Sequence, residues 1–240
     1  MFRIYSLLLA VFMPLGVYSQ LPKEHNSESA EINQLRSQYL KAAANQSGLY
    51  HGYDYVGYPL RFKGGHQFFE STEPDFGTVF YDGMTYKNIR LWFDIIKDQV
   101  LVQHTDGISR IVLHQELIKE FSVFGHRFIN ISEPESSMLP GIYDLVYEGK
   151  TGLLVKRSKA TIKDVSLEGI FLKVLKQKNQ FFIKRNGKYY AIESLGSALK
   201  ILGSRQREIL NHLKENKLKY RKEPERTLVA AVTFFDNLKG

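Results

Sequence analysis

The sequence predicts an α+β fold: a mostly antiparallel β-sheet, curled or packed as a sandwich, over residues 50–192, a short N-terminal helix, and a three-helix C-terminal tail. Three observations predict it. Apolar and polar residues alternate with a period of two from residue 78 onward, and Asp-Gly and Asn-Gly pairs separate the alternating runs. No long helical pattern interrupts these runs, which favours antiparallel pairing. After residue 193 the apolar spacing becomes helical.

The N-terminal helix is predicted over residues 30–44. Ile32, Leu35 and Tyr39 fall at helical spacing there, and Gly48 follows as a stop signal. The segment is short and has a single apolar stripe. We therefore expect it to form an amphipathic helix that leads into the sheet.

The sheet is predicted from short alternating runs joined by turn residues. Asp82-Gly83, Asp106-Gly107 and Asn186-Gly187 are tight-turn pairs, a further turn is predicted at residues 177–179, and residues 115–119 favour a short helical turn. The loop over residues 132–140 is polar and contains proline, so it is the best candidate for a subdomain break. The predicted strands are residues 53–55, 78–81, 89–93, 100–102, 108–113, 121–124, 127–131, 141–147, 153–157, 169–175, 180–184 and 189–192.

The tail, residues 193–240, is predicted as three helices. The first spans residues 194–202, the second follows Ser204, and the third spans residues 225–238 after Pro224. Leu228, Val229 and Val232 lie along one side of the third helix, which favours packing against a core. A helix lying on a membrane surface is the alternative, because the basic run 214–222 precedes it.

The first nineteen residues have the pattern of a secretory signal peptide. A short basic start at Arg3 precedes an apolar run, and small residues lead to a predicted cleavage between Ser19 and Gln20. The run is shorter than a membrane-spanning helix, so we expect no transmembrane span in the mature chain. With no cysteine in the chain, disulfides, cysteine-ligated metals and cysteine-linked lipid are excluded. Residues 20–49 are predicted to form a polar N-terminal segment and helix before the β domain.

The net charge of +8 is unevenly distributed. Residues 20–132 carry 11 Lys/Arg and 13 Asp/Glu, whereas residues 133–240 carry 21 and 12. This split is compatible with an acidic partner for the C-terminal half, which for an exported protein means anionic lipid, acidic glycan or acidic protein rather than nucleic acid. A solvated lysine-rich surface that binds nothing is the interpretation that the composition favours.

Four stretches resemble an uncharacterised family of exported Bacteroidetes proteins. They include the block GTVFYDGMTYKNIRLWFDIIKDQVLV, the block GIYDLVYEGKTGLLVKRSK and the helical tail after NGKYYAIESLG. The fourth is LYHGYDYVGYPLRFKGGHQFF, so the resemblance covers nearly the whole mature chain. It implies export to the periplasm, cell surface or medium and the same order of elements. It implies no activity and no catalytic residues.

Candidate functional residues are of two kinds. His104 with Asp106, and His114 with Glu116, bring potential metal ligands or acid–base groups close together, although no established metal motif is present. Loop histidines without function are the alternative. Three aromatic residues are candidates to stack on a sugar ring or hold an apolar ligand, or else to fill the end of a β core: Tyr53, Tyr55 and Trp92.

Asp94 and Asp98 flank a turn, and two carboxylates at a defined separation can perform acid–base hydrolysis. Aspartate is also a routine turn residue. We therefore predict an exported, non-catalytic envelope protein with no metal and no cofactor that binds a partner or ligand. The alternatives are a hydrolase acting on envelope glycan or peptide, and a carrier of lipid or another hydrophobic ligand.

Overall fold

The computed structural model describes residues 32, 34–35, 48–59, 61–134, 137–167, 170–203 and 205–238, with residues 61, 163–167 and 170–171 described in their backbone only. The chain divides into two compact units, residues 1–44 and residues 45–240. The predicted signal peptide and its cleavage between Ser19 and Gln20 lie outside the described residues. So does nearly all of the predicted helix over residues 30–44.

The second unit is built on a single mixed sheet of twelve strands. The order is β1-β6-β5-β4-β3-β7-β8-β9-β10-β11-β12, and β2 pairs with β11 outside that path. The strands are β1 (Tyr53–Asp54), β2 (Arg61–Lys63), β3 (Asp75–Tyr81), β4 (Met84–Asp94), β5 (Gln99–Gln103), β6 (Arg110–Val112), β7 (Ile118–Val123), β8 (His126–Ile131), β9 (Gly141–Glu148), β10 (Gly152–Leu167), β11 (Ile170–Arg185) and β12 (Lys188–Ile192).

The predicted fold class is wrong. The structure has one large mixed sheet of twelve strands rather than a mostly antiparallel curled sheet or sandwich, because β2 runs parallel to β11. The predicted N-terminal helix is not supported, since nearly all of it lies outside the described residues. The parallel pairing escaped prediction because β2 has only three residues and no alternating pattern, while its partner lies far along the chain. The other pairings are antiparallel, so the fold remains rich in antiparallel strands.

Tight turns set the register of several hairpins. The central residues Asp82-Gly83 have φ values of 48° and 73°, and Asn186-Gly187 have 51° and 74°. Two successive positive φ values define the turn whose twist matches that of the paired strands, and they explain why Asn or Asp precedes Gly. Phe124-Gly125 has the same geometry, with φ values of 53° and 75°.

One face of the sheet carries a continuous row of buried side chains, called here the stripe. Each residue of the stripe pairs directly with the next one on the neighbouring strand, so their side chains point to the same face. All but one of these positions are apolar, and the exception is Asp144. In sheet order the stripe is Val79, Phe121, Phe128, Asp144, Val155, Phe181 and Ile192.

Three C-terminal helices cover part of this stripe: α1 (Leu195–Leu202), α2 (Gln206–Glu215) and α3 (Pro224–Asn237). Ser194 caps α1 with a capping box, and Pro224 occupies the first turn of α3. Leu199, Leu213 and Leu228 pack with strand residues such as Val155 in one apolar cluster. No helix within the described part of the chain is both long enough and apolar enough to cross a membrane.

The loop over residues 132–140 does not interrupt the sheet. Strands β8 and β9, on either side of it, pair directly through Ile131 and Gly141. Met138 in the loop is 1% exposed and packs with Tyr143 and Leu154 on the second face of the sheet. The loop thus contributes to the core between two adjacent strands.

Candidate binding groove and its ion network

The residues proposed from sequence fall into three pairs: Tyr53 with His114, Tyr55 with Trp92, and His104 with Asp106. Tyr53 meets His114 edge to face, with ring centroids 5.9 Å apart, and accepts a hydrogen bond at its hydroxyl from Gln99 (3.0 Å). His114 also approaches Glu116 at 3.7 Å, but both side chains are well exposed. These contacts hold β1 against the sheet edge.

Tyr55 belongs to a clasp around Asp94. The Asp94 carboxylate is fully buried and accepts hydrogen bonds from the hydroxyls of Tyr55 (2.7 Å) and Tyr58 (3.0 Å). It also accepts from the backbone N–H groups of Ile96 and Lys97. Burial, followed by the hydrogen bond to Asp94, raises the pKa of Tyr55, which therefore stays a donor. Asp94 thus pins residues 55–58 to the end of β4.

Trp92 is buried, with 3% of its surface exposed. Its indole N–H donates to the carbonyl of Thr72 (2.9 Å), Arg110 lies 4.6 Å from its ring centroid, and Phe68 packs beside it. The Trp92 ring is therefore not exposed for stacking on a sugar.

His104 and Asp106 share one surface turn, 3.2 Å apart. Asp106 accepts hydrogen bonds from the Ser109 hydroxyl and from the backbone N–H groups of Ile108 and Ser109, and these bonds lower the pKa of its carboxyl group. The described residues contain no group of three or more His, Asp or Glu side chains that could hold a metal. The turn is thus explained by its own hydrogen bonds.

Asp98, the partner proposed for Asp94, has a different role. Its carboxylate accepts from the Lys156 ammonium (2.6 Å) and from the backbone N–H of Ile142 (3.1 Å). The turn between β4 and β5 is thereby tied to β9 and β10. Both aspartates are occupied in holding chain segments together.

The structure reveals an ion network that sequence analysis did not single out. Arg157 on β10 is 5% exposed and donates to Asp144 on β9 through Nε (2.8 Å) and Nη2 (2.5 Å). On its other side the guanidinium donates to both carboxylate oxygens of Glu225 on α3, at 2.5 and 2.9 Å. Such forked contacts are strong and directional. They attach the first turn of α3 to the sheet.

His126 on β8 completes the network. Its Nδ1 lies 2.8 Å from the Asp144 carboxylate, which is 1% exposed. The hydrogen bond to Asp144 raises the pKa of His126, against the opposing effect of burial. The ring of Phe69 packs edge to face on His126 and lies 5.9 Å from the Arg157 guanidinium carbon. The cluster therefore joins the aromatic part of the stripe to the part under the helices.

A groove opens beside this network, between β11 and the first turns of α3. Its volume is about 680 Å³. Glu223 and Glu225 are both in the wall, but Arg226 pairs with the first (2.8 Å) and Arg157 with the second. The lining residues are Gln177, Asn179, Phe181, Glu223, Pro224, Glu225, Arg226 and Val229.

No protein-family model, curated protein or solved structure matches the chain. The groove is lined by paired charges, two amides and apolar side chains. Its amide groups hydrogen-bond each other, Gln177 Nε2 donating to Asn179 Oδ1 (3.3 Å). A partner that entered would find exchangeable hydrogen-bonding groups rather than an activated nucleophile.

Proposed function

We propose that this protein is an exported, non-catalytic binding protein of the cell envelope, and that its partner occupies the groove between β11 and α3. The observation that carries this proposal is the groove itself, an open cleft of about 680 Å³ whose wall is held in place by the Arg157–Glu225 ion pair. A preformed wall favours binding, because few side chains lose conformational entropy when the partner associates.

The contacts of the carboxylates and histidines considered for hydrolysis also support a non-catalytic role. Asp94 and Asp98 are taken up by the hydrogen bonds of the clasp and the turn, and His104 and Asp106 by a surface turn. The proposed export to the cell envelope rests on the signal-peptide pattern of residues 1–19 and on the resemblance to exported Bacteroidetes proteins. Membership of that family remains part of the proposal.

Site-specific photocrosslinking in cells tests the groove. A photoreactive amino acid at Asn179 should yield a covalent adduct with one partner, whereas the same amino acid at Ile108, which is 87% exposed, should not. Mass spectrometry of the purified protein should give an N-terminus at Gln20. Equal adducts at both positions, or none at Asn179, would refute the groove as the binding site.

A further inference from the structure

One edge of β11 is open between two partner strands. β10 covers the opposite edge along almost its whole length. The free side pairs with β2 at residues 172–174 and with β12 at residues 181–185. At residues 175–180 no strand or backbone hydrogen bond from the described part of the chain covers that side. Such an edge presents N–H and C=O groups that can pair with another chain.

We propose that the partner docks on this edge as an added β-strand, and that its docking segment is an extended peptide in which acidic residues alternate with apolar ones. This inference rests on the proposed binding function of the groove. The open edge is about 20 Å long, since each strand residue advances about 3.3 Å. That length suits a short strand, and strand addition is a common mode of peptide recognition.

The face of β11 that lines the groove accounts for the apolar residues of the proposed peptide. Gln177, Asn179 and Phe181 are spaced two residues apart, so their side chains share one face of β11, and all three line the groove. Val229 of α3 lies in the opposing wall. Every second side chain of an added strand would point into this space, where Phe181 and Val229 offer apolar contact.

The opposite face of β11 accounts for the acidic residues of the proposed peptide. Lys176 and Lys178 are exposed and alternate with the groove residues. No described carboxylate lies within ion-pair distance of either ammonium group. Residues 150–192, which include β10, β11 and β12, carry 11 Lys/Arg and only 2 Asp/Glu, so this part of the sheet has a strong net positive charge. Opposite charges on neighbouring strands stabilise their pairing.

The same lysines disfavour a second copy of this chain as the occupant. Two β11 edges laid side by side would bring their lysine rows together, and like charges on adjacent strands are destabilising. Lysine on an edge strand is a common means of blocking self-association. The edge is thereby selective for a partner of opposite charge.

The test uses the full mature protein and fluorescent peptides with blocked ends. A peptide of alternating Glu and Val should bind in an anisotropy titration and slow amide hydrogen exchange at residues 175–180. An alternating Lys and Val peptide, and a peptide with the Glu and Val residues segregated into two blocks, should bind at least tenfold more weakly. Equal binding of all three peptides overturns the proposed alternation.

Backbone methylation of the peptide separates strand addition from loose electrostatic attraction. In an added strand only alternate N–H groups face the protein. Methylation of one set of alternate nitrogens should therefore reduce affinity more than tenfold, while methylation of the other set should change it little. If neither set matters, the peptide does not bind as a strand.

Protein variants complete the test. Lys176→Gln with Lys178→Gln should weaken binding of the Glu/Val peptide about five- to tenfold, whereas Lys87→Gln with Lys214→Gln should not. If the Asn179 crosslink forms but no peptide binds, the strand inference fails and the groove function stands. If the crosslink also fails, both fail. A dimer of the wild-type protein in which amide exchange at residues 175–180 is already slow without peptide would make a second copy the occupant and overturn the acidic partner.

Discussion

Replacement of Arg157 by methionine is expected to destabilise the protein by about 3–5 kcal/mol. Arg157 supplies two hydrogen bonds to Asp144, a carboxylate that is 1% exposed. Without Arg157 that carboxylate keeps only the contact with His126. The cost of leaving a buried charge without its main partner exceeds the value of the hydrogen bonds themselves.

Arg127 provides the matched control. It also pairs with two carboxylates, Glu120 and Glu148, each at 2.7 Å, but its side chain is 47% exposed. Water screens both of these pairs, so Arg127→Met should cost about 1 kcal/mol or less. The two variants make the same change in charge and side-chain size. The difference between them is burial, both of the arginine side chain and of its carboxylate partners.

Urea unfolding followed by tryptophan fluorescence measures both variants, because Trp92 is the single tryptophan and is buried. Arg157→Met should lower the midpoint by about 2 M, with the control close to wild type. Adding Asp144→Leu to Arg157→Met should recover much of the loss, since it removes the stranded charge. Equal losses for Arg157→Met and Arg127→Met, or no recovery in the double variant, would refute the reasoning.

Three further predictions follow from the same contacts. The pKa of His126 is raised in the folded state, so the stabilisation that the protonated ring gives is complete below the unfolded-state pKa and is lost as the pH rises through the folded-state pKa. The difference in unfolding free energy between wild type and His126→Gln should therefore be larger at about pH 5.5 than at about pH 8.5. A difference that does not change with pH would contradict this. Gly77→Ala should destabilise by at least about 1–3 kcal/mol in thermal unfolding, because a Cβ would lie 2.0 Å from the Ser122 carbonyl, whereas Gly57→Ala, with open space around it, should be near neutral. Asp94→Ala should expose residues 55–58 to proteolysis without unfolding the sheet, and unchanged cleavage would exclude the clasp.

Local signals in the sequence predict much of the hairpin architecture. The turns at Asp82-Gly83 and Asn186-Gly187 follow from residue chemistry alone, and both have the expected positive φ values. The capping residue Ser194 similarly marks the start of α1. These features depend on neighbours in sequence, so no knowledge of the fold is needed.

The open edge of β11 is where local reasoning failed. Residues 177–179 were predicted as a turn, but the structure carries β11 without interruption from Ile170 to Arg185. Lysines and amides at residues 176–180 break the apolar alternation. An edge that faces solvent tolerates them, and pairing with β10 along its length keeps the segment extended.

The ion network left a detectable signal in the sequence. Leu153, Val155 and Arg157 alternate along one predicted strand, which places an arginine on the face of two core residues. A charge in that position requires a buried carboxylate, but alternation cannot identify which one. Asp144 and Glu225 become its partners only through the register of β9 and the packing of α3.

The parallel pairing of β2 with β11 has a consequence for the order of folding. It joins residues 61–63 to residues 172–174, over a hundred positions later in the chain, while most other strand pairs are neighbours in sequence. The entropy lost on closing so long a loop is offset only once β11 is in place to pair with β2. We expect β2 to join the sheet last on refolding, and its amides to acquire protection from hydrogen exchange later than those of the hairpins.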